Sequence, residues 1–467
     1  MNSHFVIVGA GPAGMRAAEQ LVAAGHRPVV IDEGPRFGGQ IYRQPPAQFA
    51  RQRRELYGFE AGRASAVLDR FAALLPHVDY RPDTLVWQVA SNTLQLLHEG
   101  RDETLAFGAL ILATGATDRV LPFPGWTLPG VYTLGGAQVA LKYQACLIGP
   151  RVVFAGTGPL LYLVAWQYAS HGGQVAAVLD SAPLRAKLSA VPAMLARPTV
   201  AAKGAYFVAR LRLAGVPLHG GVRLLRAEGD SRVSALNWQA ADGALHSTAC
   251  DAIGVGHGLR SETQLADLAG CAFDYHALDQ AWLPTRDAAG RSSVPGVYLA
   301  GDGAAILGAD AAELSGARAA LAALQVSGAA VAPALAARLE ADGRAHQRFR
   351  AGLETAFAPP ARWAHQVPDD MIVCRCEEIT AGELRACAAS TGTREMNRLK
   401  ALTRIGMGRC QGRMCAPAAS RLLADAVGCP LKDVGRLRSQ APVKPLPIRL
   451  MREAIDADAV PFEERDD

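Results

Sequence analysis

An apolar run that breaks on a glycine-rich turn and resumes as a helix occurs twice in this chain, and that unit leaves few folds open. Phe5, Val6, Ile7 and Val8 form a continuous apolar run of the kind that a parallel strand buried on both faces requires, and Gly9-Ala10-Gly11-Pro12-Ala13-Gly14 follows at once. Helix formers over residues 15–24, with Gly25 as a stop, predict a helix. Pro28, Val29, Val30 and Ile31 predict the second strand, which ends on Asp32 with Glu33 beside it. In such a unit Gly9 permits the tight turn, Gly11 lets backbone approach a pyrophosphate, and Gly14 lets helix and strand pack closely. The helix N-terminus at Pro12 and Ala13 offers unpaired N–H groups to phosphates, and Asp32 is placed to accept hydrogen bonds from an adenosine ribose.

The turn alone does not separate FAD from NAD. Gly38-Gly39-Gln40 favours the bulkier cofactor, because a second glycine pair lets backbone run close to it. Two further strands end in small residues, at Ala113-Thr114-Gly115 and at Ala300-Gly301-Asp302. In flavoprotein reductases with two dinucleotide domains, which this pattern resembles, the late Gly-Asp strand end meets the flavin ribityl and phosphate. Asp302 could equally serve as an N-cap for the helix that follows.

The second unit runs from Arg151 through Val152, Val153, Phe154 and Ala155 into Gly156-Thr157-Gly158, with the next strand ending on Asp180. Leu161 stands where the third glycine would allow close packing, so the helix must ride differently over the strand. NAD, another adenine nucleotide or nothing are the three occupants left open, and Asp180 favours an unphosphorylated ribose over NADP. Gly254-Val255-Gly256-His257-Gly258 returns the chain from this unit and could bring backbone or His257 toward a cofactor. Neither unit carries paired cysteines, since Cys146, Cys250 and Cys271 are single, so a redox-active disulfide is not expected.

Four other cysteines do pair: Cys374-x-Cys376, then Cys410 and Cys415. Four thiolates suit tetrahedral zinc or a [2Fe-2S] cluster, with unligated cysteines as the third alternative. The flanking glycines and Arg375, Arg409 and Arg413 favour the cluster, because N–H groups and cations ease reduction of an anionic centre. Thr380 and Glu383 have capping-box spacing for a helix from Ala381, and Pro417 can open another. Cys387 and Cys429 are expected to be packing residues.

The formal charge of +5 comes from scattered Arg, which predicts neither nucleic-acid binding nor a membrane patch. The apolar stretch 152–169 is interrupted by its glycine turn and reads as strand-turn-helix rather than a membrane span. With nine Cys and no charged-then-apolar leader before the first strand, a reducing cytoplasmic setting is expected.

The cysteine quartet resembles the bacterioferritin-associated-ferredoxin type of [2Fe-2S] domain. The whole chain, over roughly 3–450, is similar to the larger flavoprotein subunit of bacterial opine oxidases, D-hydroxyproline dehydrogenases and hydrogen cyanide synthase. Carrying that resemblance are Gly38 to Arg43, Ala113 to Arg119, Pro124-Gly125-Trp126, Leu134 to Gln138, the second turn through Leu161, and Cys374 to Cys415. It implies an α/β fold with two Rossmann-like dinucleotide-binding domains, the FAD domain (1–145 and 260–330) split by an inserted NAD-type domain (146–259). A helical linker (331–369), a small [2Fe-2S] domain (370–430) and an extended, proline-rich tail (431–467) follow. It further implies a smaller FAD-dependent amine-oxidising partner, a respiratory electron acceptor, room for FMN at a subunit junction and for a small third subunit, and a place at the inner face of the membrane. The base for amine oxidation would lie on the partner, so no catalytic residue is assigned here. A self-contained NADH-dependent flavin and iron-sulfur reductase is the alternative.

Overall fold

Five short parallel strands form the first sheet of the structure, a computed structural model that describes residues 4–447. Their order is Val297–Leu299, Ala109–Leu112, Phe5–Val8, Val29–Ile31 and Asp79–Arg81. Every residue of Phe5–Val8 and of Ala109–Leu112 is buried, as the unbroken apolar runs require when both faces of a sheet are covered. A second five-stranded parallel sheet repeats the design with Leu218–Gly220, Gln174–Asp180, Arg151–Thr157, Ala252–His257 and Val131–Thr133. Each carries a three-stranded antiparallel appendage, 84–106 on the first and 223–249 on the second. The internal duplication therefore extends beyond the two turns.

The second unit begins earlier than the expected boundary at 145/146. Val131–Thr133 pairs with Ala252–His257, and the helix Leu134–Tyr143 packs beneath the same sheet, so both belong to the second unit. The chain crosses between units on a two-stranded ribbon in which Ala116–Asp118 pairs antiparallel with Leu259–Ser261.

The first helix, Pro12–Ala23, starts three residues before the expected Met15, because Pro at the first helical position has no N–H to lose and a φ already suited to the helix. It lies against the alanine-rich helix Ala309–Val326, and a Cβ on Gly316 would fall 2.0 Å from the Ala13 carbonyl oxygen, so only glycine permits that approach. The linker holds a short helix, Trp363–Gln366, and a long one, Pro333–Ala356, which is tied to Ala309–Val326 by the Arg318–Glu340 ion pair (2.7 Å) and set closely on Leu184–Met194 at Gly352.

The C-terminal domain has its own core, including Val373, Leu384, Met396, Leu399, Ile405, Leu422 and Val434. The capping box forms as expected: Thr380 accepts from the Glu383 N–H, and Glu383 accepts from the Thr380 N–H. Cys387 and Cys429 pack at the edge of this core.

The tail is not loose where it is described. Arg436 forms a bidentate pair with Asp267 (2.6 and 2.7 Å), Val443 is buried in the core of the first unit, and Lys444 pairs with Glu33. The acidic residues Glu463, Glu464, Asp466 and Asp467 lie outside the described residues. No helix among the described residues is long and apolar enough to cross a membrane.

Candidate cofactor sites

At the first turn a Cβ on Gly14 would sit 1.7 Å from the Gly9 carbonyl oxygen, and one on Gly9 would sit 2.3 Å from that of Ala113. Gly9 also holds φ +108°, so turn and sheet are inseparable from glycine there. Gly39 approaches Gly11 so nearly that an added Cβ would stand 2.9 Å from its Cα. The strand ends at Ala113-Thr114-Gly115 and Ala300-Gly301-Asp302 converge on the same cradle: a Cβ on Gly301 would meet the Ala13 Cβ at 2.8 Å, and one on Gly303 would meet Thr114 Oγ1 at 2.5 Å. Main chain and small side chains line this cradle, which suits a cofactor laid along backbone. Gln40 is exposed at its edge and accepts from Arg43 (2.6 Å).

The two acids after the second strand divide their roles. Asp32 accepts from the Ala10 N–H (2.6 Å, Oδ2) and the Gly34 N–H (2.7 Å, Oδ1), so both oxygens hold the chain's own turn. Burial raises its pKa, and those two N–H groups pull it back. Glu33 stands exposed next to it. Asp302 is not the N-cap of the following helix, which is Gly308; its Oδ1 instead accepts from the Leu307 and Gly308 N–H groups (2.9 and 3.0 Å) and closes the loop ahead of that helix.

The second turn keeps its glycines: Gly156 and Gly158 both have φ +119°, and a Cβ on Gly156 would lie 1.8 Å from the Gly256 carbonyl oxygen. Its acid is spent. Asp180 is fully buried, with Oδ2 bonded by Tyr162 (2.7 Å) and by Lys187 (2.6 Å) and Oδ1 by the Ala182 N–H (2.8 Å). Leu161 is fully buried in the core beneath this sheet. Between the two sheets opens a cavity of about 1490 Å³, with Tyr42 and Asp302 from the first unit and Gly158, Tyr162 and Lys187 from the second on its walls. His257 does not face a cofactor with a usable proton: it is buried and neutral, its pKa pushed down to about 3 by burial and by Arg119 and Arg421.

The four cysteines come together at one edge of the C-terminal domain, Cys374 and Cys415 buried, Cys410 half-buried and Cys376 exposed. Their sulfurs neighbour one another, Cys376 beside Cys410 and Cys415 beside both Cys410 and Cys374. The neighbouring Cys415 sulfur lowers Cys374 to about 6 and Cys410 to about 5, and is itself pushed upward by them. Backbone N–H groups of Cys376, Glu377 and Gly406 also favour the Cys374 thiolate, and those of Gly412 and Met414 the Cys410 thiolate. Gly408 leaves room for Cys376, whose Cβ would lie 2.4 Å from a Cβ there. Among the described residues no group of three or more His, Cys, Asp or Glu is arranged to hold a metal ion as it stands. This set of neighbouring thiols with N–H donors fits a cluster that spreads its ligands over two irons.

The flanking arginines expected to surround the centre behave differently from one another. Arg375 and Arg409 are exposed, Arg375 lying over the Trp126 ring, and Arg413 pairs with Glu262 at 2.6 Å. Arg260 and Gln264, which sequence reasoning passes over, do the joining together with Thr114 of the cradle. Arg260 donates to the Gly412 and Arg413 carbonyls (3.3 and 2.9 Å), Gln264 to that of Gln411 (2.8 Å), and Thr114 to that of Glu262 (2.5 Å). The loop bearing Cys410 and Cys415 is thereby bonded to the segment that touches the first cradle.

Comparison with known proteins agrees with this architecture. The family model described as pyridine nucleotide-disulphide oxidoreductase matches residues 3–326, and that of the BFD-like [2Fe-2S] binding domain matches 372–425. An opine oxidase subunit from Agrobacterium tumefaciens (strain Ach5) is 37% identical, over 95% of this chain and 90% of that one. The chain belongs to the pyridine nucleotide-disulphide oxidoreductase family, in the group that contains this opine oxidase subunit. Hydrogen cyanide synthase subunit HcnB of Pseudomonas aeruginosa falls in the same group, at 36% identity over 96% of this chain and 98% of that one. A solved L-proline dehydrogenase from P. horikoshii shares the fold, with TM-score 0.70 and 17% identity over 96% of this chain and 79% of that one. The present chain pairs an FAD-dependent oxidoreductase domain with a [2Fe-2S] domain. It lacks the disulfide of the family's name: every described cysteine is free.

Proposed function

We propose that this chain is the FAD- and [2Fe-2S]-bearing subunit of a heteromeric amine or amino-acid dehydrogenase of the opine or D-hydroxyproline type. In this reading a smaller flavoprotein subunit oxidises the amine, and the present chain carries the electrons onward to a respiratory acceptor, in the cytoplasm at the inner face of the membrane. When bound, a flavin accepts electrons in pairs and a [2Fe-2S] cluster passes them singly. Gly9, Gly11, Pro12, Ala13 and Gly14 cradle the pyrophosphate. Glu33 rather than Asp32 meets the ribose, since both Asp32 oxygens already hold the turn. Gly39, Gln40, Ala113, Thr114, Gly115, Gly301 and Asp302 line the remainder of the cofactor, and Cys374, Cys376, Cys410 and Cys415 ligate the irons.

The observation that carries this reading is the pairing of a docked cluster loop with a second nucleotide site whose acid is already engaged. Arg413, Gln411 and Gly412 are bonded to Glu262, Gln264 and Arg260 beside the first cradle, which supports electron flow between the two centres of one chain. Asp180, engaged by Tyr162, Lys187 and the Ala182 N–H, offers nothing to the ribose of NADH, which argues against the self-contained reductase. The test is anaerobic addition of NADH to the purified chain while flavin absorbance and the EPR signal of the reduced cluster are followed. The flavin stays oxidised with NADH and bleaches with the amine once the smaller flavoprotein is added. Rapid bleaching by NADH alone would overturn the reading in favour of the reductase. Acid extraction of the same complex identifies FMN, NAD or another adenine nucleotide directly.

A further inference from the structure

A cluster held by four thiolates is anionic and becomes more so when it accepts an electron, so any fixed cation beside it eases reduction. The cations that the cluster segment itself supplies do little of this. Arg375 and Arg409 are exposed, where water screens them, and the Arg413 charge is matched by Glu262 at 2.6 Å. Arg260 differs on each count. It stands on the ribbon between the two dinucleotide units, is half-buried, and has no carboxylate within 4.0 Å among the described residues. Its guanidinium reaches across the domain boundary to the carbonyls of Gly412 and Arg413, between Cys410 and Cys415.

A half-buried guanidinium with only carbonyl partners is costly, because neutral acceptors do not cancel its charge. A negative group nearby removes that cost. A cluster ligated by Cys410 and Cys415, the residues that flank the two carbonyls Arg260 holds, would supply it.

We infer that Arg260, contributed by the dinucleotide-binding part of the chain, is the counter-ion of the [2Fe-2S] cluster and sets its reduction potential relative to the flavin. The inference rests on the quartet holding that cluster. Arg260 is a positioning residue that acts through its charge, which favours the reduced centre; the two carbonyls it bonds hold that charge beside the 410–415 loop. An electron can thus move from flavin to cluster only as readily as the docked domain boundary allows. This also accounts for a feature the cluster domain alone leaves unexplained, namely why its ligand loop makes its polar contacts with the flavin domain.

The experiment is an EPR-monitored redox titration of the full chain, comparing the unsubstituted protein with Arg260→Gln and Arg260→Lys. The flavin midpoint in each sample is the internal reference, and iron per chain is measured in parallel. Arg260→Gln keeps a donor for the loop but removes the charge. The expected result is a shift of electron sharing toward the flavin by about tenfold, equivalent to about 59 mV for a one-electron couple. Arg260→Lys restores most of that shift. A cluster midpoint unchanged in Arg260→Gln, with full iron content, would overturn the inference. Loss of iron from both variants would also overturn it, since the fork and not the charge would then be what matters. Loss of iron from Arg260→Gln alone would support it. If the unsubstituted protein gave no reduced-cluster signal at all, the cluster assignment itself would fail, an outcome distinct from these.

Discussion

Replacing Asp267 by Ala should unfasten the tail from the flavin domain without unfolding either. The Asp267 side chain is 5% exposed and accepts three hydrogen bonds from the tail: two from Arg436, at 2.6 and 2.7 Å, and one from the Ser439 N–H at 2.6 Å. Removing one partner of a buried ion pair costs about 3–5 kcal/mol. Arg436 is 21% exposed and keeps its place over the Phe273 ring, 3.9 Å from the ring centre, so it can regain some hydration and the low end applies. A loss of about 3 kcal/mol corresponds to roughly a hundredfold change in an opening equilibrium. Amide hydrogen exchange in the cofactor-loaded full chain reads that equilibrium for residues 436–443. These amides should exchange about a hundredfold faster in Asp267→Ala, while those of Phe5–Val8 change little. Exchange of the tail within about threefold of the unsubstituted protein would refute the reasoning, since the contacts would then hold nothing that Val443 and Lys444 do not hold alone. Because the Asp267 carboxyl is held below its usual range, chiefly by Arg436 and the Ser439 N–H acting against burial, this fastening is complete above the ordinary Asp pKa. It fades only as the pH falls below that range.

Two further outcomes follow from the geometry. Gly14→Val would drive side-chain atoms into the Gly9 carbonyl, 1.7 Å from the added Cβ, and should leave the purified protein with less than about a tenth of its flavin, read from the flavin-to-protein absorbance ratio. His257 is neutral in the folded chain, with its pKa pushed down to about 3, and ordinary in the unfolded chain. The unfolded state therefore binds the extra proton as the pH falls below about 6.5, and stability is lost from there down to the folded pKa at up to about 1.4 kcal/mol per pH unit. His257→Gln should flatten that acid limb by about one proton, and denaturation midpoints that fall equally in both proteins between pH 7 and pH 5 would rule it out.

What can be read from the sequence is what local chemistry decides. The strand Phe5–Val8, its turn and the Thr380 capping box each rest on a few adjacent residues whose steric or hydrogen-bonding needs have one good solution. A helix beginning at Met15 is three residues late because Pro12 belongs as readily to the turn as to the first helical position. A boundary at 145/146 puts the strand Val131–Thr133 in the wrong unit, because its partner, Ala252–His257, lies more than a hundred residues away and only pairing reveals its sheet. Asp180 looks like a ribose acid because strand and turn match; Lys187 closes it by folding back on a helix with no motif of its own. Arg260 and Glu262 carry no local signature either, since their partners sit about 150 residues further along. The proline-rich tail looks unstructured because its attachment uses single side chains and backbone groups rather than an apolar period.

These long-range contacts meet at the ribbon where the chain passes between its two dinucleotide units. Asp118 accepts from the Gly135 N–H at the start of a second-unit helix, and Arg119 donates to the His257 and Asp279 carbonyls and to Glu354 on the linker helix. Arg260 and Glu262, on or beside the opposite strand, hold the cluster loop, while Thr114 and Gly115 of the cradle bond to Glu262 through its backbone. The ribbon is therefore fastened toward the flavin cradle, the second unit, the linker helix and the cluster domain at once. Arg119 and Glu354, both nearly inaccessible to solvent, pair at 3.4 Å between the ribbon and the linker helix, with Arg350 on the same carboxylate. A reductase that admits NADH to its flavin by swinging one domain needs a ribbon that turns freely. Here the ribbon is bonded on four sides, and Asp180 already has its partners within the second unit.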